Sequence, residues 1–121
     1  MTSEAMAATV HRSWAADLGT RVLYEVLRLR VDVFVVEQAS PYAELDGRDL
    51  DARTRHFWLG GDGRPEPVLG CVRLLEEQGG DFRIGRLCTA RSARGRGLGK
   101  RLMEAALAEV GDTTCTLDSL R

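Results

Sequence analysis

Between Arg91 and Arg101 the chain reads Arg-Ser-Ala-Arg-Gly-Arg-Gly-Leu-Gly-Lys-Arg. Gly95, Gly97 and Gly99 fall within five residues, flanked by the cations of Arg94, Arg96, Lys100 and Arg101. So short a stretch without side chains lets an anion reach the backbone. An amphipathic pattern starts at Leu98, so the unpaired N–H groups and positive end of a helix would face the same bend. A diphosphate is its natural tenant. The plainer alternative is a solvated basic turn that needs glycine only for its shape. Two familiar phosphate motifs fail here. A dinucleotide fingerprint would need a third glycine at position 100, which is Lys100. A P-loop ending in Gly99-Lys100 would need glycine at 94 and a hydroxyl at 101, and both are arginine.

Other reactive side chains are sparse. Cys71, Cys88 and Cys115 are odd in number, widely spaced and free of any CxxC pair, which reads as reduced thiols packed as small hydrophobes. With only His11 and His56 beside them, no zinc site and no metal is expected. Seventeen basic and eighteen acidic residues give a formal charge of -1, which disfavours a general nucleic-acid binder. No apolar run approaches the ~20 residues of a membrane span. Met1 to Ala8 carries Glu4 and no basic residue, unlike a secretory signal, so a cytoplasmic placement is expected. At 121 residues, 44% hydrophobic and 29% charged, residues 1–121 read as a single small globular domain.

The elements that must carry the glycine turn follow from periodicity. Thr20 to Phe34 repeats apolar residues on one helical face, with Thr20 suited to the N-cap. The β-branched run Val31, Val33, Val35, Val36 leaves its end open between helix and strand. Residues 37–54 are rich in turn formers and read as a long loop, a frequent place for function. Three apolar runs, His56 to Gly60, Val68 to Leu75 and Phe82 to Thr89, are separated by turn signals and suggest an antiparallel meander. The second is apolar on both faces, as a covered central strand should be. From Leu98 the period becomes helical through Leu102, Met103, Ala106, Leu107 and Val110, and Gly111 is a sensible stop. Thr113 to Leu117 is a last strand, parallel to the third of the meander because a helix crosses between them. The class is α/β with a mixed sheet.

Arg94-x-x-Gly97-x-Gly99, set between a strand and an amphipathic helix, resembles motif A of the GNAT acyl-CoA N-acyltransferases. Leu29-Arg30, Val33-Phe34-Val35-Val36-Glu37-Gln38, Pro41-Tyr42, Glu44, Asp46-Gly47, Asp49, Thr54-Arg55-His56, Arg73-Leu74 and Ile84-Gly85-Arg86 narrow the resemblance to the ElaA-like subgroup. It spans about residues 12–118. It implies a mixed, mostly antiparallel central sheet flanked by helices. It also implies acetyl-CoA as acyl donor and a small-molecule or peptide amine as acceptor. Leu87, Cys88 and Thr89 would pair with the pantetheine arm. The backbone amides of Arg94, Gly95, Arg96, Gly97, Leu98, Gly99 and Lys100 would wrap the pyrophosphate, with Arg94 chiefly shaping the loop.

Direct attack by an amine requires that an alkylammonium of pKa near ~10.4 lose a proton. Glu37 and His56 are the candidate bases, against the plainer readings of a salt-bridged glutamate and a hydrogen-bonded strand histidine. Glu44, Asp46, Asp49 and Asp51 would attract a cationic acceptor, or form a solvated acidic loop; Arg73 and Arg86 suit buried partners for such carboxylates. Tyr42 would shape the acceptor site or simply pack. Relatives usually continue past the strand after motif A with a helix and a β-hairpin that supply a thiolate-protonating tyrosine. Here the chain stops at Arg121 with only Tyr24 and Tyr42. The domain is therefore expected to be C-terminally incomplete, with a final strand whose open edge invites a homodimer. The competing functional readings are a catalytically inactive CoA-binding remnant and an interaction module.

Overall fold

The computed structural model describes residues 9–40, 43–60 and 68–118. In chain order the elements are β1 (Val10–Trp14), α1 (Thr20–Arg30), β2 (Arg55–Gly60), β3 (Val68–Glu76), β4 (Phe82–Thr89), α2 (Leu98–Val110) and β5 (Cys115–Leu117), with short 3-10 turns between some of them. The strands form one sheet in the order β1-β2-β3-β4-β5. Every neighbouring pair is antiparallel except β4 and β5, which run parallel on either side of the α2 crossover.

Strand alternation divides the interior. Phe57 and Leu59 of β2 and Val72 and Leu74 of β3 face Leu98, Leu102, Ala106 and Val110 of α2. Trp58, Cys71 and Cys88 point the other way, onto Val26 and Leu29 of α1 and onto Val33 beyond it. A helix on each face explains why β3 is apolar on both. The exposed Leu107 lies off the buried stripe of α2.

Three local features depart from the sequence expectation. Thr20 is the first residue of α1 rather than its cap; Gly19 caps it, with no side-chain bond. The ambiguous β-branched run is neither α-helix nor strand: Val31–Glu37 continues α1 as a π-helical segment, in which Gln38 N–H donates to Val33 O at 3.0 Å. It ends where Ala39 turns left-handed at φ 53 and Ser40 N–H donates to Phe34 O. Finally, β1 carries no alternation that announces it. It is held by its side chains: Arg12 and Arg55 both stack on Trp14, His11 stacks on Trp58, and Arg12 pairs with Glu109 of α2.

One irregularity shapes the site. Cys71 pairs with Cys88 and Arg73 with Gly85, so Arg86 and Leu87 together stand opposite Val72. Arg86 sits in the left-handed region at φ 58. This is a β-bulge, a device that bends a strand and redirects a side chain.

Candidate active site

The outer edge of β4 is paired with β5 only from Phe82 to Ile84. Asp118 N–H makes a last bond to Ile84 O, and the Asp118 carboxylate then lies across Gly85, where a Cβ would fall 1.8 Å from Oδ2. A side chain at 85 would have to displace the Asp118 carboxylate from this position. Beyond this point the two strands part. Ala90 N–H donates to Leu69 O, and by alternation Cys88 turns its backbone groups to β3 while Leu87 and Thr89 turn theirs outward. That exposed edge forms one wall of a cleft of about 660 Å³. The other wall includes Val33, Phe34, Gln38 and Ser40, brought there by the widened π-helical turn.

Past the end of β4 the chain makes a short 3-10 turn and enters the glycine bend. Gly97 adopts φ 73 and caps α2, so its residue type is set by backbone conformation. A Cβ built on Gly95, Gly97 or Gly99 meets nothing within 4 Å. The bend is open to a ligand at the N-terminus of a 13-residue helix, where the first amides lack intrahelical acceptors.

Glu37 and Arg94, expected at different tasks, are brought together. Arg94 Nη1 lies 2.5 Å from Glu37 Oε2, and Nη2 lies 2.9 Å from Oε1. The hydrogen bond from Arg94 holds the Glu37 carboxyl below its ordinary range, with Arg91 adding to the effect.

Glu44, Asp46 and Asp49 do not stand free in their loop. Asp49 shares its carboxylate between Arg30 and Arg73; Asp46 takes both Nη atoms of Arg73; Glu44 Oε2 takes Arg30 Nε at 2.7 Å and stands 2.9 Å from Arg86 Nε. Burial would push the Asp46 carboxyl up, but the hydrogen bonds from Arg73 and from Arg48 N–H, with the charges of Arg73 and Arg86, bring it to about 2. Three arginines thus balance three carboxylates. Arg30, at the C-terminal end of α1, is 1% exposed, and sequence reasoning misses it; the available signal is a charge on the buried stripe of an amphipathic helix. Glu44 and Arg86 reach the cleft, whereas Asp46 meets it through Arg86.

His56 lies deeper, with Nε2 3.0 Å from Asp49 O. Burial lowers its pKa, against the hydrogen bond to Asp49, so the ring is neutral at pH 7. Cys88 lines the cleft with its Sγ 3.8 Å from that of Cys71; that contact and burial push its thiol up, away from the thiolate. Tyr42 lies outside the described residues. Among the described residues no cluster of His, Cys, Asp and Glu is arranged to hold a metal, and no helix is long and apolar enough to cross a membrane.

The sequence model of the Acetyltransferase (GNAT) family matches residues 23–119. This chain belongs to the GNAT acetyltransferase family. A UPF0039 protein of Mycobacterium tuberculosis is 58% identical over 118 residues, which are 94% of this chain and 74% of that protein. ElaA of Escherichia coli is 36% identical over 104 residues, 84% of this chain and 62% of ElaA. Its crystal structure matches with a TM-score of 0.79 over 91% of this chain and 76% of that one. An acyl-CoA N-acyltransferase from Pseudomonas aeruginosa matches with a TM-score of 0.82 at 40% identity, over 92% of this chain and 78% of that one. The chain is an ElaA-like GNAT protein, and family and fold together make it an acyl-CoA-dependent acyltransferase.

Proposed function

We propose that this GNAT domain transfers an acetyl group from acetyl-CoA to a primary amine by direct attack. The observation that carries this reading is the continuity of the outward-facing backbone at Leu87 and Thr89 with the unobstructed bend at Gly95 to Lys100. The thioester supplies an activated acyl carbon. The amine nitrogen bonds to that carbon, the carbon–sulfur bond breaks, and the sulfur leaves as a thiolate that takes up the proton shed by the nitrogen as it becomes an amide, giving the CoA thiol.

The chain's own residues orient the reactants. Leu87 and Thr89 offer hydrogen bonds along the pantetheine arm, Cys88 packs beneath it as a neutral thiol, and the amides from Arg94 through Lys100 receive the diphosphate. Arg96 and Lys100 add positive field. On the acceptor side Glu44 and Asp118 present carboxylate oxygens to the cleft, and although each is paired with an arginine they offer hydrogen-bond acceptors to a cationic amine. Asp46 keeps Arg86 in place beside Glu44. His56 is too deep to meet a substrate, so the ammonium proton leaves through water in the cleft toward the carboxylates lining it.

Gly99→Val tests the cofactor site. Residue 99 lies in the first turn of α2 with no positive φ and open space at its Cβ, so valine there keeps the fold and blocks the anion. Calorimetric CoA affinity should fall about tenfold or more with the melting temperature nearly unchanged, since the bend's amides lose their approach. Gly97→Val is a poorer choice because its left-handed φ adds backbone strain of about 1–2 kcal/mol. Unchanged CoA affinity in the Gly99 variant removes the assignment. Free CoA thiol released only when acetyl-CoA and an amine are both present marks the enzyme; binding without release marks a CoA-binding module instead.

A further inference from the structure

Arg94 stands where three segments meet. Its Nε and Nη2 donate to Thr89 O at 3.2 and 3.1 Å, at the end of the cofactor edge. Its Nη1 and Nη2 grip both oxygens of Glu37, the last residue of the π-helical segment. Its own backbone opens the glycine bend. These four contacts occupy most of the five N–H donors of a guanidinium, so the side chain ties protein to protein and has little left for a phosphate. Thr89 O is also taken, which leaves the outward edge of β4 richer in donors than in acceptors.

Glu37 is the counterpart. A general base needs basicity and a lone pair directed at its substrate; the Arg94 fork takes one lone pair of each Glu37 oxygen and lowers the carboxyl's basicity, with Arg91 Nη2 3.7 Å from Oε2. Immediately after Glu37 the chain supplies Gln38 and Ser40 to the far wall of the cleft. One ion pair therefore sets the distance between the wall that would meet the acceptor and the bend that would hold the diphosphate.

We propose that Glu37 and Arg94 form a positioning clamp for acyl transfer: Glu37 acts through Arg94, fixing the bend and the cleft wall against each other, and does not itself receive the acceptor's proton. This rests on the function proposed above. Both side chains are partly exposed, at 26% and 38%, so the clamp adds little to overall stability and variants should fold. Lysine is a poor replacement for a forked arginine here, because its one nitrogen cannot reproduce contacts that Arg94 spreads over Nε, Nη1 and Nη2.

The test compares wild type, Glu37→Gln, Arg94→Lys and the double variant, with circular dichroism and melting curves as the control for folding. Each single variant should raise KM for acetyl-CoA by about tenfold or more, a size expected for misplaced groups outside the chemistry. The acid limb of the pH profile of kcat/KM should stay where it is. The double variant should be no worse than the worse single one, since both remove one clamp. Raised salt should move the wild type toward the variants. Loss of kcat in Glu37→Gln at unchanged KM, with disappearance of the acid limb, overturns the clamp and makes Glu37 the base. Additive losses in the double variant overturn it too, as do single variants indistinguishable from wild type. A wild-type chain that neither binds CoA nor releases thiol overturns the underlying function, and that failure is visible before any substitution is made.

Discussion

The two faces of the sheet are stabilised on opposite principles. Toward α2 the interior is apolar through its centre, with Leu59, Leu74, Leu102 and Ala106 wholly shielded, and it carries charge only at its margin, where Arg55 pairs with Glu76 and Glu109. Toward α1 it is apolar only around Val26, Cys71 and Cys88; beyond Leu29 it becomes a set of interlocked charges on Arg30, Arg73, Arg86, Glu44, Asp46 and Asp49. The first face depends chiefly on volumes that fit. The second requires its buried members in place, because an uncompensated charge on Arg30, Arg73 or Asp49 has no water to turn to. The cleft opens on the second face. A loop of turn formers is held there in one shape by arginines rooted in α1, β3 and β4, and a functional wall is obtained from a segment with almost no apolar residues to bury.

The sharpest way to break that contrast is to remove one member from each face. Asp49→Ala leaves Arg30 and Arg73 facing one another over a missing carboxylate and should cost about 3–5 kcal/mol in urea denaturation. Leu102→Ala empties volume under α2 and should cost about 2–5 kcal/mol. The two separate in function. At a temperature where both are folded, Leu102→Ala should keep the acceptor KM, whereas Asp49→Ala should raise it, because Arg30 and Arg73 lose their shared carboxylate and draw Glu44 and Asp46 out of place at the cleft. Equal acceptor KM values in the two variants would dissolve the distinction between the faces.

A smaller effect should distinguish the faces by pH. In the folded chain burial holds His56 neutral, below its ordinary pKa, while the unfolded chain takes up a proton near pH ~6.5. The unfolded state therefore binds more protons just below that pH, and stability falls as pH drops from about 6.5. The Asp46 carboxyl runs the same way at lower pH: its contribution is complete above about 3.9 and is lost as pH falls toward about 2. Melting temperature against pH should show both descents. His56→Gln, which keeps a donor for Asp49 O, should abolish the first and spare the second. A descent near pH 6.5 that survives His56→Gln would have to come from another group.

What is legible in the sequence follows the same division. The apolar face can be read almost entirely, because Leu98, Leu102, Ala106 and Val110 repeat at helical spacing and the meander strands sit between clear turn signals. The glycine bend is also legible, because three glycines around the start of an amphipathic run bare the backbone where a helix must begin. The α1 face is harder. Arg73 and Arg86 are visible as charges in apolar strands and so as partners for acidic residues, but nothing local ties Arg30 to Glu44 across 14 residues of chain. Strand β1 escapes a reading by period because stacking on Trp14 and an ion pair to Glu109 hold it, and neither leaves a repeat in the sequence. The π-helical segment is ambiguous between helix and strand, since its β-branched residues favour strand while Val33 and Phe34 pack with α1 on its face of the sheet. The Glu37–Arg94 pair spans 57 positions and needs both that turn and the end of β4 to exist first.

The smallest expected effect tests whether the apolar part of the α1 face is inert where it meets the cleft. Cys88 lines the cleft, so access alone would leave it open to alkylation. The reactive species is the thiolate, however, and both the neighbouring Cys71 thiol and burial oppose its formation. Iodoacetamide at pH 8 should therefore label Cys115 first, although burial raises that thiol as well, because Cys115 lies half-buried at the sheet edge. Cys88 should lag by about tenfold or more, each pKa unit removing tenfold of thiolate, and should react freely in denaturant. Saturating CoA should change the Cys88 rate little, since protonation rather than approach limits it. Fast labelling of Cys88 that CoA suppresses would mean a thiolate sits on the cofactor edge, and the boundary between the inert and the charged halves of that face would have to be drawn elsewhere.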